Sequence, residues 1–116
     1  MNPAPGEIYW VALPSSEGRE QAGQRPALVV QEASLNLSLP TTLVVPITSN
    51  LKASVFPGTI IIDPTEQNGL SVRSVLLVFQ LRAIDKRRFL NIAGAISVKE
   101  LAEVFRIVDL LMGRKS

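Results

Sequence analysis

Ser97-Val98-Lys99-Glu100-Leu101-Ala102-Glu103-Val104-Phe105-Arg106-Ile107-Val108-Asp109-Leu110-Leu111-Met112-Gly113 is the one plainly helical stretch of the chain. Ser97 is placed to cap a helix, and Glu100 three residues later completes a capping box. Leu101, Val104, Phe105, Val108 and Leu111 then recur at spacings of three and four, laying one apolar stripe along a helix over about 97–112. Gly113 supplies the stop, with Arg114 and Lys115 near the negative end of the helix dipole. A lone helix cannot bury such a stripe by itself. It has to pack on whatever the preceding residues form.

Those residues read as five to seven short strands. Glu7–Leu13, Arg25–Gln31, Thr41–Thr48, Val55–Ile62, Ser74–Leu81 and Leu90–Ile96 are rich in β-formers and bounded by turn residues. Pro14–Gln24 and Ser34–Pro40 read as loops, and Asn68-Gly69 is the sharpest turn signal. Pro46 inside the third strand suggests an edge position or a bulge. Phe79 closes the apolar run Val75–Phe79 and is expected in the core. Strands followed by one helix make a mainly β fold, a small barrel or strongly bent sheet with a C-terminal helix. At 116 residues, with no repeats and no low-complexity segment, residues 1–116 read as a single domain.

Composition narrows the chemistry. There is no Cys and no His, which excludes disulfides, zinc fingers, thiol nucleophiles, His-ligated metals and imidazole proton shuttles. Catalysis has to come from Arg, Lys, Glu, Asp, Ser, Thr, Tyr or the backbone. The net charge of +2 conceals an asymmetry: residues 1–72 carry −3 and residues 73–116 carry +5. A basic second half permits a polyanion or an acidic protein partner, and a solvated face is the commoner reason for such a bias. The start has no basic region followed by an apolar run, and the longest apolar run is far short of the ~20 residues that span a bilayer. The expectation is a cytoplasmic protein with no membrane partner.

Five blocks occur in order. Gly6-Glu7-Ile8-Tyr9-Trp10-Val11 is followed by Glu20-Gln21-Ala22-Gly23-Gln24-Arg25-Pro26-Ala27-Leu28-Val29-Val30. Then come Val44-Val45-Pro46-Ile47-Thr48-Ser49, Asn68-Gly69-Leu70, and Val75 to Asp85 (V-L-L-V-F-Q-L-R-A-I-D). In this order they resemble the MazF/PemK-like (Kid-like) toxins, mRNA-cleaving endoribonucleases of bacterial type II toxin–antitoxin systems. The resemblance covers most of the chain, from Gly6 to about the helix. It implies an SH3-like small barrel with a C-terminal helix, and a homodimer. It also implies cleavage of single-stranded RNA with no metal and no cofactor. The ribose 2′-OH attacks its own phosphate and leaves a 2′,3′-cyclic phosphate and a 5′-OH.

That reaction needs positive charge on the phosphorane-like transition state, a proton acceptor for the 2′-OH and a proton donor for the 5′-oxygen. Arg25 suits the first role, because its planar fork holds phosphate oxygens and stays charged. Thr48 matches the family's Thr, whose hydroxyl donates to a phosphate or 2′-oxygen. Glu20 matches a family Glu and is a candidate base, or a group that orients Arg25. Taken singly, Arg25 reads as a surface arginine, Thr48 as a strand-former and Glu20 as a solvated carboxylate. Only the ordered match joins them.

RNA contacts are expected from Gln24, Ser49, Gln80, Arg82, Lys86 and Arg87. Gln80 and Arg82 fit a dimer interface as well, and Lys86-Arg87-Arg88 also fits a solvated turn. Two positions depart from the family: Gln24 stands where some members have His, and Phe79 where they have an acidic residue. The cut sequence is expected to depend on the segments Ser15–Gln24 and Ser49–Phe56. The implied partners are a cognate acidic antitoxin, with DNA reached only through the antitoxin complex. Two alternatives share the fold: a toxin aimed at a protein such as DNA gyrase, and a nucleic-acid-binding module that does not cleave.

Overall fold

The computed structural model describes residues 2–13 and 23–114. In chain order these form β1 (Glu7–Leu13), β2 (Gly23–Val29), α1 (Ala33–Ser38), β3 (Thr41–Thr48), β4 (Thr59–Ile62), β5 (Ser74–Leu77), β6 (Arg82–Asp85), β7 (Phe89–Ala95) and α2 (Val98–Leu111). Short 3-10 turns occupy Leu51–Val55, Val78–Gln80 and Lys86–Arg88. The architecture is mainly β with one C-terminal helix of 14 residues, as the sequence leads one to expect.

Every recorded strand pair is antiparallel, in the order β4-β5-β3-β2-β1-β7, with β6 also paired to β3. β3 is therefore the hub of the sheet and not an edge. It pairs with β6 from Thr41 to Val44 and with β5 at Ile47 and Thr48. Pro46, which lacks an N–H, lies in the two-residue gap where β3 changes partners. A proline is tolerated in this central strand because no ladder bond is needed there.

Alternation along the strands separates two cores. Ile8, Leu28, Val45 and Ile47 face one way, into a cluster completed by Leu76, Val78, Val104 and Ile107. Tyr9, Val11, Ala27, Val29 and Val44 face the other way and meet Ile84 and Phe89. Ser97 caps α2 and forms the reciprocal capping box with Glu100, a device worth about 1 kcal/mol. The helix buries Val104 and Ile107, with Leu101 and Val108 packed beside them. Phe105 and Leu111, expected on the buried stripe, stand 40% and 46% exposed. The inner face is thus rotated toward Ile107.

Other differences are local. Ser34–Pro40, expected as a loop, contains α1. Its leucines Leu35 and Leu37 are exposed and supply no apolar face. Buried Asn36 anchors it instead, donating to the Pro3 and Gln31 carbonyls at 2.7 and 3.0 Å. The strand expected over Val55–Ile62 shortens to β4, because Leu51–Val55 forms a 3-10 turn capped by Asn50. The strand expected over Ser74–Leu81 ends at Leu77. Phe79 then leaves the core and packs on Phe56, with ring centroids 5.6 Å apart. Between the strands expected over Ser74–Leu81 and Leu90–Ile96, Arg82–Asp85 forms β6.

Candidate nucleic-acid interface

β1 and β2 are in register with Trp10 opposite Pro26, Val11 opposite Arg25, and Ala12 opposite Gln24. This brings Gln24 and Arg25 to the end of the sheet at which Trp10 lies. β3 reaches the same end, where Ile47 and Ser49 flank Thr48. The loop from Leu70 to Ser74 completes a cleft of about 240 Å³, which Trp10, Gln24, Arg25, Pro26, Ile47 and Ser49 line from the strands and Thr48 does not. Its floor is apolar (Trp10, Pro26, Ile47, Leu70), and its rim carries Gln24, Arg25, Ser49 and Ser71.

β2 and β3 pair with Ala27 opposite Pro46 and Leu28 opposite Val45. Carrying that register two residues past Ala27 and Pro46 sets Arg25 opposite Thr48, on the face of Ala27 and Val44 and not on the face of Ile47 in the cleft floor. The Thr48 hydroxyl accepts the Asn50 N–H at 3.1 Å, which fixes the turn leaving β3. Glu20, the candidate base, lies outside the described residues, as do residues 15–22 of the segment expected to influence the cut sequence. Arg25 is exposed.

The remaining expected contacts are placed elsewhere. Gln80 and Arg82 are exposed at the start of β6, with Arg82 paired across from Val44. That position is four residues along β3 from Thr48, roughly 13 Å. Lys86 donates its Nζ to the Asn36 carbonyl at 2.8 Å and so ties its turn to α1. Arg87 forks onto the Asp85 carboxylate, with contacts of 3.1 and 2.9 Å. Those bonds and the Arg87 backbone N–H hold the Asp85 carboxyl down at about 2 and raise the Arg87 guanidinium. Asp85, Arg87 and Arg88 line a separate depression. Among the described residues, no three or more Asp and Glu gather to hold a metal ion. No described helix is long and apolar enough to cross a membrane.

A family model described as PemK-like, MazF-like toxin of type II toxin-antitoxin system matches residues 4–112. The chain belongs to this toxin family. It is 31% identical over 108 residues to the endoribonuclease MazF of Staphylococcus saprophyticus, covering 93% of this chain and 89% of the relative. It is 37% identical over 83 residues to the endoribonuclease EndoA of Bacillus subtilis, covering 72% and 71% of the two chains. Among solved structures it resembles MazF in a MazE–MazF crystal structure from Deinococcus radiodurans. The TM-score there is 0.79, with 29% identity over 99% of this chain and 100% of the other.

For a toxin of this family the sequence reading missed the far wall of the cleft. Leu70, Ser71, Val72 and Ser74 line it. The Asn68-Gly69 signal marks the turn but not where the following residues go. Trp10 lies half-buried in the floor, while its neighbour Tyr9 is the one in the core.

Proposed function

We propose that this chain is the toxin of a type II toxin–antitoxin system and an endoribonuclease that cuts single-stranded RNA at the Arg25 cleft without a metal or cofactor. The observation that carries the reading is the convergence of Arg25, Gln24 and Ser49 on one open cleft over an apolar floor. The register that sets Thr48 across from Arg25 supports it.

The chemistry follows from those groups. The guanidinium of Arg25 holds the non-bridging phosphate oxygens and offsets the charge that builds on them as the 2′-oxygen attacks. Thr48 donates a further hydrogen bond to the same centre. Glu20 takes the 2′-OH proton or orients Arg25. The new bond joins the 2′-oxygen to phosphorus as the bond from phosphorus to the 5′-oxygen breaks. The 5′-oxygen takes up a proton from water as it leaves, balancing the one removed from the 2′-OH, so the products are a 2′,3′-cyclic phosphate and a 5′-OH. Gln24 and Ser49 hydrogen-bond the bound strand. Arg82 and Gln80 touch it farther along or join two subunits, and Lys86 and Arg87 border its path. The working unit is a homodimer in the cytoplasm, and an acidic antitoxin neutralises it by covering the basic groove.

The test is incubation of the purified, antitoxin-free protein with mixed-sequence single-stranded RNA in EDTA. Cleavage at a short defined sequence leaving a 5′-OH is the expected result. No cleavage by a folded preparation, or cleavage that stops in EDTA, overturns the reading. Inhibition of DNA gyrase by such a preparation favours the protein-poisoning alternative.

A further inference from the structure

The loop from Leu70 to Ser74 is built with more fixings than a surface connection needs. Asn68 is 1% exposed, and its side chain makes three hydrogen bonds. Its Oδ1 accepts the Thr65 and Leu70 N–H groups, both at 3.0 Å, and its Nδ2 donates to the Asp63 carbonyl at 2.9 Å. Below it the turn lies flat on β7. A Cβ at Gly69, where φ is +69°, would sit 1.9 Å from the Ala93 carbonyl oxygen. A Cβ at Gly94 would sit 2.2 Å from the Gln67 carbonyl oxygen. Only glycine at both positions permits this approach. The Ala95 N–H donates to the same Gln67 carbonyl at 2.7 Å.

The far end of the loop is fixed as well. Ser74 is buried, and its hydroxyl donates to the Val72 carbonyl at 2.9 Å. Arg73 pairs with Asp63 at 3.0 Å. Leu70 is buried as an anchor. Between these fixings Ser71 and Val72 stay exposed and face the cleft, with Val72 at 53%. An exposed valine whose loop is held by a buried network, in one cleft with a tryptophan, is a surface kept in place for contact.

We propose that Ser71 and Val72 form the specificity wall of the cleft, against which one nucleobase of single-stranded RNA rests across from Trp10. Asn68 is the positioning residue that sets the gap. This rests on the RNA-cleaving reading above. A cleft of about 240 Å³ has room for one splayed base. A splayed base stacks on an aromatic or apolar face and offers a polar edge. The Ser71 hydroxyl and Gln24 amide, each both donor and acceptor, meet that edge.

The test maps cut sites of wild type, Val72→Trp, Ser71→Ala and Asn68→Asp on one long RNA of mixed sequence, with kcat and KM measured on the best wild-type site. Val72→Trp narrows the cleft from an exposed position. It is expected to change the preferred base at one position and to raise KM about tenfold, with an unchanged melting temperature. Ser71→Ala is expected to relax the preference at that same position. Asn68→Asp keeps the two accepted bonds and loses the donated one, and its folded fraction is expected to relax that position too. A merely destabilised variant would lose activity and keep the wild-type cut profile. The wall is overturned if Val72→Trp and Ser71→Ala both cut the wild-type sites with kcat/KM within about twofold. The positioning role is overturned if folded Asn68→Asp keeps the profile. Absence of cutting by wild type overturns the parent reading instead, so the two failures are distinct.

Discussion

The two ends of β3 are both rich in polar side chains, and they treat them in opposite ways. At the start of the strand, Gln31 donates to Asn36 Oδ1 at 2.7 Å and to the Thr41 carbonyl at 2.9 Å, and its Oε1 accepts the Leu43 N–H. Asn36 bonds Pro3 and Gln31, and Lys86 closes the group from outside. Every amide there is taken up by another part of the fold. At the finish of the strand, Gln24, Arg25 and Ser49 are exposed on the rim of an apolar cleft. They make no side-chain hydrogen bond with another described residue. Leaving a buried polar group unpaired costs about 1–3 kcal/mol, and among the buried side chains of the described residues only the Thr42 hydroxyl, at the start of the strand, goes without a partner. Exposed groups bear no such cost, and stay available to a ligand. The first end therefore builds the scaffold, and the second leaves polar groups open on the cleft proposed to act on RNA.

Substitutions at the two ends should separate activity from stability. Arg25→Ala is expected to lower the cleavage rate by about 10²–10³, the usual cost of one lost transition-state donor. Its melting temperature should match wild type, since Arg25 is exposed. A large loss of stability would show that Arg25 belongs to the scaffold. Asn36→Ala should do the reverse. Denaturant unfolding should show a loss of about 3 kcal/mol, because the Gln31 and Pro3 groups lose their partner, while the folded fraction cuts the same sites.

Lys86→Met removes one partly exposed bond and should cost about 1 kcal/mol. A salt titration of RNA binding sharpens the contrast. Arg82→Ala is expected to reduce the slope of log affinity against log salt by about 1, and Lys86→Met by less. Equal slope changes would assign Lys86 to the RNA.

The smallest effect is a titration. Tyr9 is the one tyrosine of the chain, so phenolate absorbance reads it alone. Burial, and then the Glu7 carboxylate that its hydroxyl meets at 3.1 Å, push it up to about 12. The fold thus favours the protonated phenol. That contribution is complete below pH 10 and fades as pH rises from 10 through 12. A midpoint near 10 in the folded protein would mean that Tyr9 is not held in the second core.

What could be read beforehand followed from local patterning. β1 and β3 begin and end where their β-formers and turn residues place them. α2 starts at its capping box, although its inner face had to be read from contacts. α1 was hidden because a single buried amide holds it and no apolar stripe marks it. β6 was hidden because Arg82 and Asp85 look like part of a charged run, and only pairing with β3 makes that segment a strand. In the site, Arg25 and Thr48 were legible as a pair through resemblance alone, and their pairing in the fold follows only by extending the recorded register past Ala27 and Pro46. The wall at Ser71 and Val72 was not legible. Its position depends on Gly69 meeting Ala93 of β7, and Gly94 of β7 meeting Gln67, across about 25 residues of chain, a contact that no local pattern encodes.

Trp10 is the one tryptophan of the chain and lies in the cleft floor. Its fluorescence therefore reports on the proposed site directly. The decisive titration uses an all-2′-deoxy version of the cleaved sequence, which lacks the attacking hydroxyl and stays intact. The expected result is a saturable change in Trp10 emission that tracks binding measured by anisotropy, and an affinity weakened by Arg25→Ala. Binding by anisotropy with no change in Trp10 emission would contradict it, because the nucleic acid would then be bound somewhere other than the Arg25 cleft.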